Sequence, residues 1–563
     1  MSATFEGSRA LPLDRREWLC AAGAALCSAS GYATVQSSAD ASSINAPAID
    51  TSTADQLRVG MSMNNLLSLD PAAATGLDAM TVACNLYDGL LETDSHDPAR
   101  LQPALAQAWH VGQGGRRLVL QLRDGVRFAS GKPLLAEHAA WSLRRVLRLN
   151  LAPASVWKSY GFNAAQVAGQ VQATGPHTLQ IDLPQPTDPT LVLMTLATSM
   201  SALVLDRDAI LSHEVKGDQG AAWLTTHAAG SGPFSLQTWR PKELLIMRRQ
   251  PGHWRGEARL RRIVMRHMTE SQTLRLMLTR GDLDVASGLS SPDVKALARR
   301  PDLAVETVRR SNFYYVAVNA RHPRFVDERV RRAVLRHLID FDGIAGSVLA
   351  FYGQVHQRPV PPGLPASLPS PGYRLDVSQA RRLLAEAGLA GGFETTVRVM
   401  AEPPFTGIAT SLQATLAQAD VRASILPGTG NQVYGAMRER QFEIIVGRGG
   451  GGAEAHPHSS LRALVYNPDN RDSARLSNFQ GWRTGYADAT LNALIDQALV
   501  EPDVVRQVAL YLRAQQRVHE VVGGMQPIAV VSDTVVMRRE VKGYMGHPSG
   551  ATRLRNVHKE ANA

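Results

Sequence analysis

The stretch from Leu118 to Phe128 constrains the fold more than any other part of this chain. Leu118, Leu120 and Leu122 stand two residues apart, and Val126 and Phe128 continue the spacing after Asp124-Gly125. Period-two apolar spacing puts these side chains on one face of an extended chain, and an Asp-Gly between two such runs is a strong hairpin signal. Ala108–Pro133 therefore reads as two short alternating strands, with the turn expected at Asp124-Gly125. A second pattern appears later. A helix is expected over 376–387 with Gly388 as its stop, a strand over 395–399, a helix over 408–419 and a strand over 421–426. This βαβ rhythm predicts an α/β lobe with a largely parallel sheet.

The 563 residues favour more than one core. A hydrophobic share of 44% and a charged share of 20% exclude disorder for most of the length. The net charge of +10 invites a nucleic-acid reading. However, the arginines are spread along the chain, with no basic tail and no basic-aromatic interleaving, so no nucleic-acid partner is expected. Cys20 and Cys27 lie near the N-terminus and leave Cys84 alone in the body. One cysteine makes no internal disulfide, and its neighbours Val82, Ala83 and Leu86 predict a buried, unreactive thiol.

Arg15-Arg16 precedes a short, moderately apolar run from Cys20 to Cys27, which resembles a twin-arginine signal peptide, and Gly31-Tyr32-Ala33 offers a cleavage point. Residues 1–33 are thus expected to be an export signal and 34–54, rich in Ser and Ala, a flexible linker. Cys27 opens a lipid-anchor alternative, but the residue three before it is Ala24, where such anchors carry Leu. No later stretch holds eighteen uninterrupted apolar residues.

Eight segments, in order, resemble the signature of the family 5 extracellular solute-binding proteins, the peptide- and nickel-binding receptors of ABC importers. They are Leu69-Asp70-Pro71, Asn85–Leu90, Pro103–Trp109, the Ala108–Pro133 stretch, Gly230–Phe234, Trp254-Arg255-Gly256, Gly281–Asp284, and Asn319 through Asp340. The resemblance implies a two-lobed periplasmic binding protein type II-like clamshell, with an extra subdomain in lobe one. Lobe I is expected at 55–310 with a return over 525–563, and lobe II at 311–524, with crossings near Arg310-Ser311 and Gly523-Gly524. It also implies a monomeric periplasmic receptor without a cofactor. Such a receptor closes over a peptide or peptide-like solute and hands it to inner-membrane ABC permease subunits.

The resemblance places the ligand near Arg448-Gly449-Gly450-Gly451-Gly452-Ala453-Glu454. Dipeptide-binding relatives carry an Asp here for the ligand's ammonium, because an unpaired charge in a closed cleft is costly. This chain has no Asp at that point, and Glu454 is the nearest acid. The expected ligand residues are therefore Glu454, Gly450 and Gly451, with Trp482 as an aromatic cover, Arg448 as a carboxylate partner, and Tyr87. The glycine run lacks a following Lys-Ser/Thr, so it is not a nucleotide loop. His456 and His458 have no evident third partner for a metal. No Gly-x-Ser-x-Gly, His-Glu-x-x-His or Cys-His signature is present, and no catalytic residue is expected. A nickel- or haem-type receptor on the same fold and a twin-arginine-exported hydrolase remain as alternatives.

Overall fold

Two long strands, Leu303–Val318 and Met525–Arg538, run antiparallel and carry the architecture. The computed structural model describes residues 55–450 and 454–560; the expected signal, the linker and Gly451 lie outside them. On one side of the pair, Phe313–Val318 bonds antiparallel to Ile444–Gly449. Beyond it lie Phe393–Met400 and Val421–Gly428, both parallel to Ile444–Gly449. This lobe is therefore mixed, with parallel outer strands and an antiparallel inner one. On the other side, Val535–Met537 bonds to Val285–Ser287, followed by Gln56–Met61, Arg262–His267, Leu244–Arg249 and Phe234–Arg240. The second long strand passes Ser532-Asp533 without a turn.

A separate four-stranded antiparallel sheet holds the alternating stretch, in the order Ala106–Gly112, Arg117–Leu122, Thr178–Asp182, Val171–Gly175. Helix Ala136–Leu149 packs against it, and Leu118, Leu120, Leu122, Val126 and Phe128 share one apolar core. The hairpin turn is at Gln113–Gly115, not at Asp124-Gly125. Three successive positive-φ residues there, Gln113, Gly114 and Gly115, reverse the chain. After Asp124-Gly125 the chain drops Val126 and Phe128 into the core and makes only a single antiparallel bridge, Arg127 to Pro133, outside the sheet.

Helix Leu77–Leu86 stops where Tyr87 turns extended. Glu328–Arg332 is α-helical and continues as a wider π turn over Ala333–His337. Cys84 is buried as expected, and burial pushes its thiol up to about 12.

Several of the short motifs meet at one place. Asp88 accepts hydrogen bonds from Ser231 (3.0 Å) and from the Trp254 indole (2.9 Å), and the Gly232 amide donates to Leu86 O. Asn85, fully buried, fastens the C-terminal segment by donating to Thr552 O and accepting from Leu554 N. Gly232 lies so close to the end of helix Leu77–Leu86 that a Cβ would sit 2.5 Å from Leu86 C and 2.7 Å from Asn85 O, both backbone atoms. Gly232→Ala is expected to cost about 1–3 kcal/mol, as overpacking against immobile backbone does. Urea unfolding should show a lower midpoint at unchanged m-value.

Candidate functional site

The register of the two long strands breaks between Arg309 and Phe313, opposite Val530–Ser532. A bulge there bends the strands and re-aims side chains. Beside this break opens the interlobe cleft, with a cavity of about 220 Å³. Helix Leu77–Leu86 contributes Asp78, the segment after Met400 contributes Glu402 and Phe405, and the long strands contribute Arg310, Tyr314 and Asp533. Arg448 enters from strand Ile444–Gly449, and Tyr544 from the C-terminal segment.

One carboxylate organises the cationic part of this cleft. Asp533 accepts from Arg310 Nε at 2.5 Å and from Arg448 Nη2 at 2.7 Å. Burial opposes its ionisation, but Arg448 and Arg310 outweigh burial and hold the carboxyl below its usual range. Arg310 also donates to the carbonyl of His547. The Tyr434 hydroxyl meets both the amide (2.9 Å) and the carbonyl (3.0 Å) of Arg448, which fixes the backbone from which that side chain reaches the cleft. Both guanidiniums are thus pre-set in place.

The opposite part is acidic and unpartnered. The carboxylates of Asp78 and Glu402 make no hydrogen bond and no ion pair with the described residues. Burial, reinforced by Glu402, pushes the Asp78 carboxyl up to about 7 even though it lies in the first turn of a helix, where a carboxylate is normally favoured. Glu402 is likewise raised, by burial.

Of the five sequence candidates among the described residues, only Arg448 lines this cleft. Tyr87 is a core residue, 1% exposed, packed below the end of helix Leu77–Leu86, so it is not available to a ligand. Trp482 is buried too. Its indole donates to Arg471 O and its ring lies 3.6 Å under the Arg440 guanidinium, which makes it a local packing element of its loop. Gly450 packs against Leu464 and does not line the cleft. Glu454 is buried and accepts from Thr195 at 3.3 Å, and burial raises its carboxyl. With His456 facing Asp188 at 3.6 Å and Arg462 donating to Ser159 O, it joins the four-stranded subdomain to the other lobe. Glu454 is therefore an interlobe contact beside the cleft, not part of its lining. Among the described residues, no group of three His, Cys, Asp or Glu side chains is arranged to hold a metal.

Asp78, Arg310, Tyr314, Glu402 and Asp533 were not singled out from the sequence as ligand residues. Asp533 left one trace, an acid inside the apolar run Ile528–Val536. The other four fall in ordinary helix, strand and loop contexts with no local signal.

His547 gives a pH prediction at the rim of this site. It is buried, bonded to Ser549 and to Thr93 O, and burial lowers its imidazole to about 4. The unfolded chain binds its proton near pH 6.5 and the folded chain only near 4. The unfolded state therefore holds more protons in that window, and stability falls as pH drops from about 6.5 to about 4. Thermal melting of His547→Gln should show a shallower decline across that window than the parent protein. An identical slope would exclude His547 as its source.

The fold and cleft define a two-lobed binding protein: two lobes joined by crossing strands, with a polar cleft at the crossing. The chain belongs to the bacterial extracellular solute-binding proteins, family 5, whose middle-region model matches residues 100–472. Over 497 residues it is 23% identical to the Escherichia coli K12 protein named "Probable D,D-dipeptide-binding periplasmic protein DdpA", covering 85% of this chain and 90% of that one. It is 25% identical over 335 residues to the glutathione-binding protein GsiB of Salmonella typhi, covering 59% of this chain and 62% of that protein. Among solved structures, it resembles the Helicobacter pylori periplasmic binding protein DppA in complex with the peptide STSA. The TM-score is 0.77 at 23% identity, over 90% of this chain and 98% of that one. The Agrobacterium protein MoaA in complex with mannopinic acid gives a TM-score of 0.78 at 19% identity, over 90% of this chain and 100% of that one.

Proposed function

We propose that this protein is the periplasmic solute receptor of an ABC importer, and that it captures a peptide or peptide-like solute between its lobes. The observation that carries the reading is the cleft at the crossing strands, with fixed guanidiniums on one side and unpartnered carboxylates on the other. Such a distribution suits a solute that bears both charges. The lobes turn about Arg309–Phe313 and Val530–Ser532, where the strand register is already broken. The second crossing then lies inside the last long strand rather than at Gly523-Gly524. Residues 1–33 act as a twin-arginine-type export signal, and the protein works as a monomer that docks on a membrane permease. Native mass spectrometry of protein purified from its own periplasm tests the reading, because a closed receptor retains its solute. A co-purifying adduct of peptide mass supports it. A metal adduct on otherwise apo protein, or turnover of a chromogenic ester, would replace it.

A further inference from the structure

We infer that the solute carries an ammonium or guanidinium group, and that this group is seated between Asp78 of one lobe and Glu402 of the other, against the Tyr314 ring. The inference rests on the receptor reading and names the chemistry of the same cleft. It differs from the sequence expectation, which gave the cation to Glu454.

Three observations carry it. First, Glu454 is already engaged with Thr195 and does not line the cleft, so it leaves no acid at the expected point. Second, Asp78 and Glu402 face the same cleft with no partner among the described residues, whereas the neighbouring Asp533 is bonded to two guanidiniums. Third, Tyr314 lines the cleft at 1% exposure, and its hydroxyl has no hydrogen-bond partner there. That hydroxyl opens to the cleft, where it can donate to or accept from an incoming solute. The ring stands edge-on to Phe405 at 5.6 Å, so two aromatics flank the acids, as cation sites favour.

The charge balance agrees. Asp78, Glu306, Glu402 and Asp533 face the cleft, against Arg310 and Arg448. Asp533 uses both arginines, which leaves an acidic excess toward Asp78 and Glu402. Burial first, then Glu402 and Asp533, raise the Asp78 carboxyl to about 7, with Arg448 opposing them. A cation seated there favours the ionised form and expels the proton. Because the two acids belong to different lobes, the same cation also favours the closed arrangement.

The test uses calorimetric titration of the full mature protein, after unfolding and refolding to strip retained solute, with Ala-Ala, Ala-Lys and N-acetyl-Ala-Ala, and with cadaverine alongside. A free-amine peptide should bind at least about tenfold tighter than its acetylated form, in line with the loss of one charge-assisted bond. Asp78→Asn and Glu402→Gln should each bring free-amine peptides down to the acetylated level and leave the acetylated peptide unchanged. Proton release near pH 7, read from buffers of different ionisation enthalpy, should vanish in Asp78→Asn. Melting curves of both variants establish that they fold. Equal affinity for acetylated and free peptides, or unchanged affinity in both folded variants, overturns the inference and leaves the receptor reading intact. If no peptide binds the parent protein, the peptide reading fails. Cadaverine then decides the inference alone: binding that is lost in both variants upholds it, and no binding overturns it.

Discussion

Replacing Asp533 by alanine is expected to destabilise the protein by about 3 kcal/mol and to abolish measurable solute binding. The reason is asymmetric. Arg310 is 7% exposed and Arg448 is mostly covered, and both direct their charge at this one carboxylate. Removing one partner of a buried ion pair leaves an uncompensated charge, which costs more than the pair itself contributes. Here one deletion strands two guanidiniums. They sit where the strand register breaks, so the cleft loses its geometry together with its stability. The double change Asp533→Ala with Arg448→Met should recover part of the loss, because it removes one of the stranded charges. The pH dependence carries the same signature. A carboxyl held below its unfolded value contributes stability above about pH 4 and loses it as pH falls further. The acid limb of the unfolding profile should therefore be weaker in Asp533→Ala. Urea titration with the single variant within about 0.5 kcal/mol of the parent would contradict this account of the cleft.

Asp70→Ala is expected to cost about 3–5 kcal/mol with no direct effect on the cleft. Asp70 and Arg145 are essentially unexposed, at 1% and 0%. Both Arg145 terminal nitrogens reach the carboxylate at 2.7 Å, its Nε donates to Gln219 O, and Asp70 Oδ1 also accepts the Ala72 amide. The pair joins the Leu69-Asp70-Pro71 turn to helix Ala136–Leu149, which lies over the subdomain sheet. The alanine variant leaves a guanidinium in a closed interior. Asp70→Asn keeps one acceptor and should fall between. Calorimetric melting would show the loss as a lower midpoint. If Asp70→Ala melts with the parent protein, the buried pair is not what fastens these segments.

The scaffold was far more legible than the site. Leu118, Leu120 and Leu122 advertise a buried strand face because burial of alternate residues follows from backbone geometry alone. The βαβ segments around Phe393–Gly428 are legible for the same reason, since local periodicity decides them. The turn was misplaced because Asp124-Gly125 carries the stronger dipeptide signal, while the observed reversal depends on positive φ at Gln113 as well as at two glycines. The motif residues Asn85, Asp88, Ser231, Gly232 and Trp254 cluster because they hold segments together. Their spacing marks the family and says nothing of the ligand. The cleft is built otherwise. Asp78, Arg310, Glu402, Arg448 and Asp533 lie on five separate segments, and only the crossing of two strands brings them to one place. No local window contains that information. Glu454 and Trp482 drew attention as polar or aromatic residues near glycines, a setting shared by packing elements, and the structure buries both.

A receptor of this kind works by closing its lobes over a peptide-like solute at the crossing strands. The most direct measurement is small-angle X-ray scattering of the refolded, solute-free protein with and without saturating free-amine dipeptide, at matched protein concentration. The radius of gyration should be smaller with the dipeptide, saturating with concentration, and should not change in Asp78→Asn. An unchanged radius at dipeptide concentrations up to about 1 mM, the weak end of specific binding, would contradict this closure.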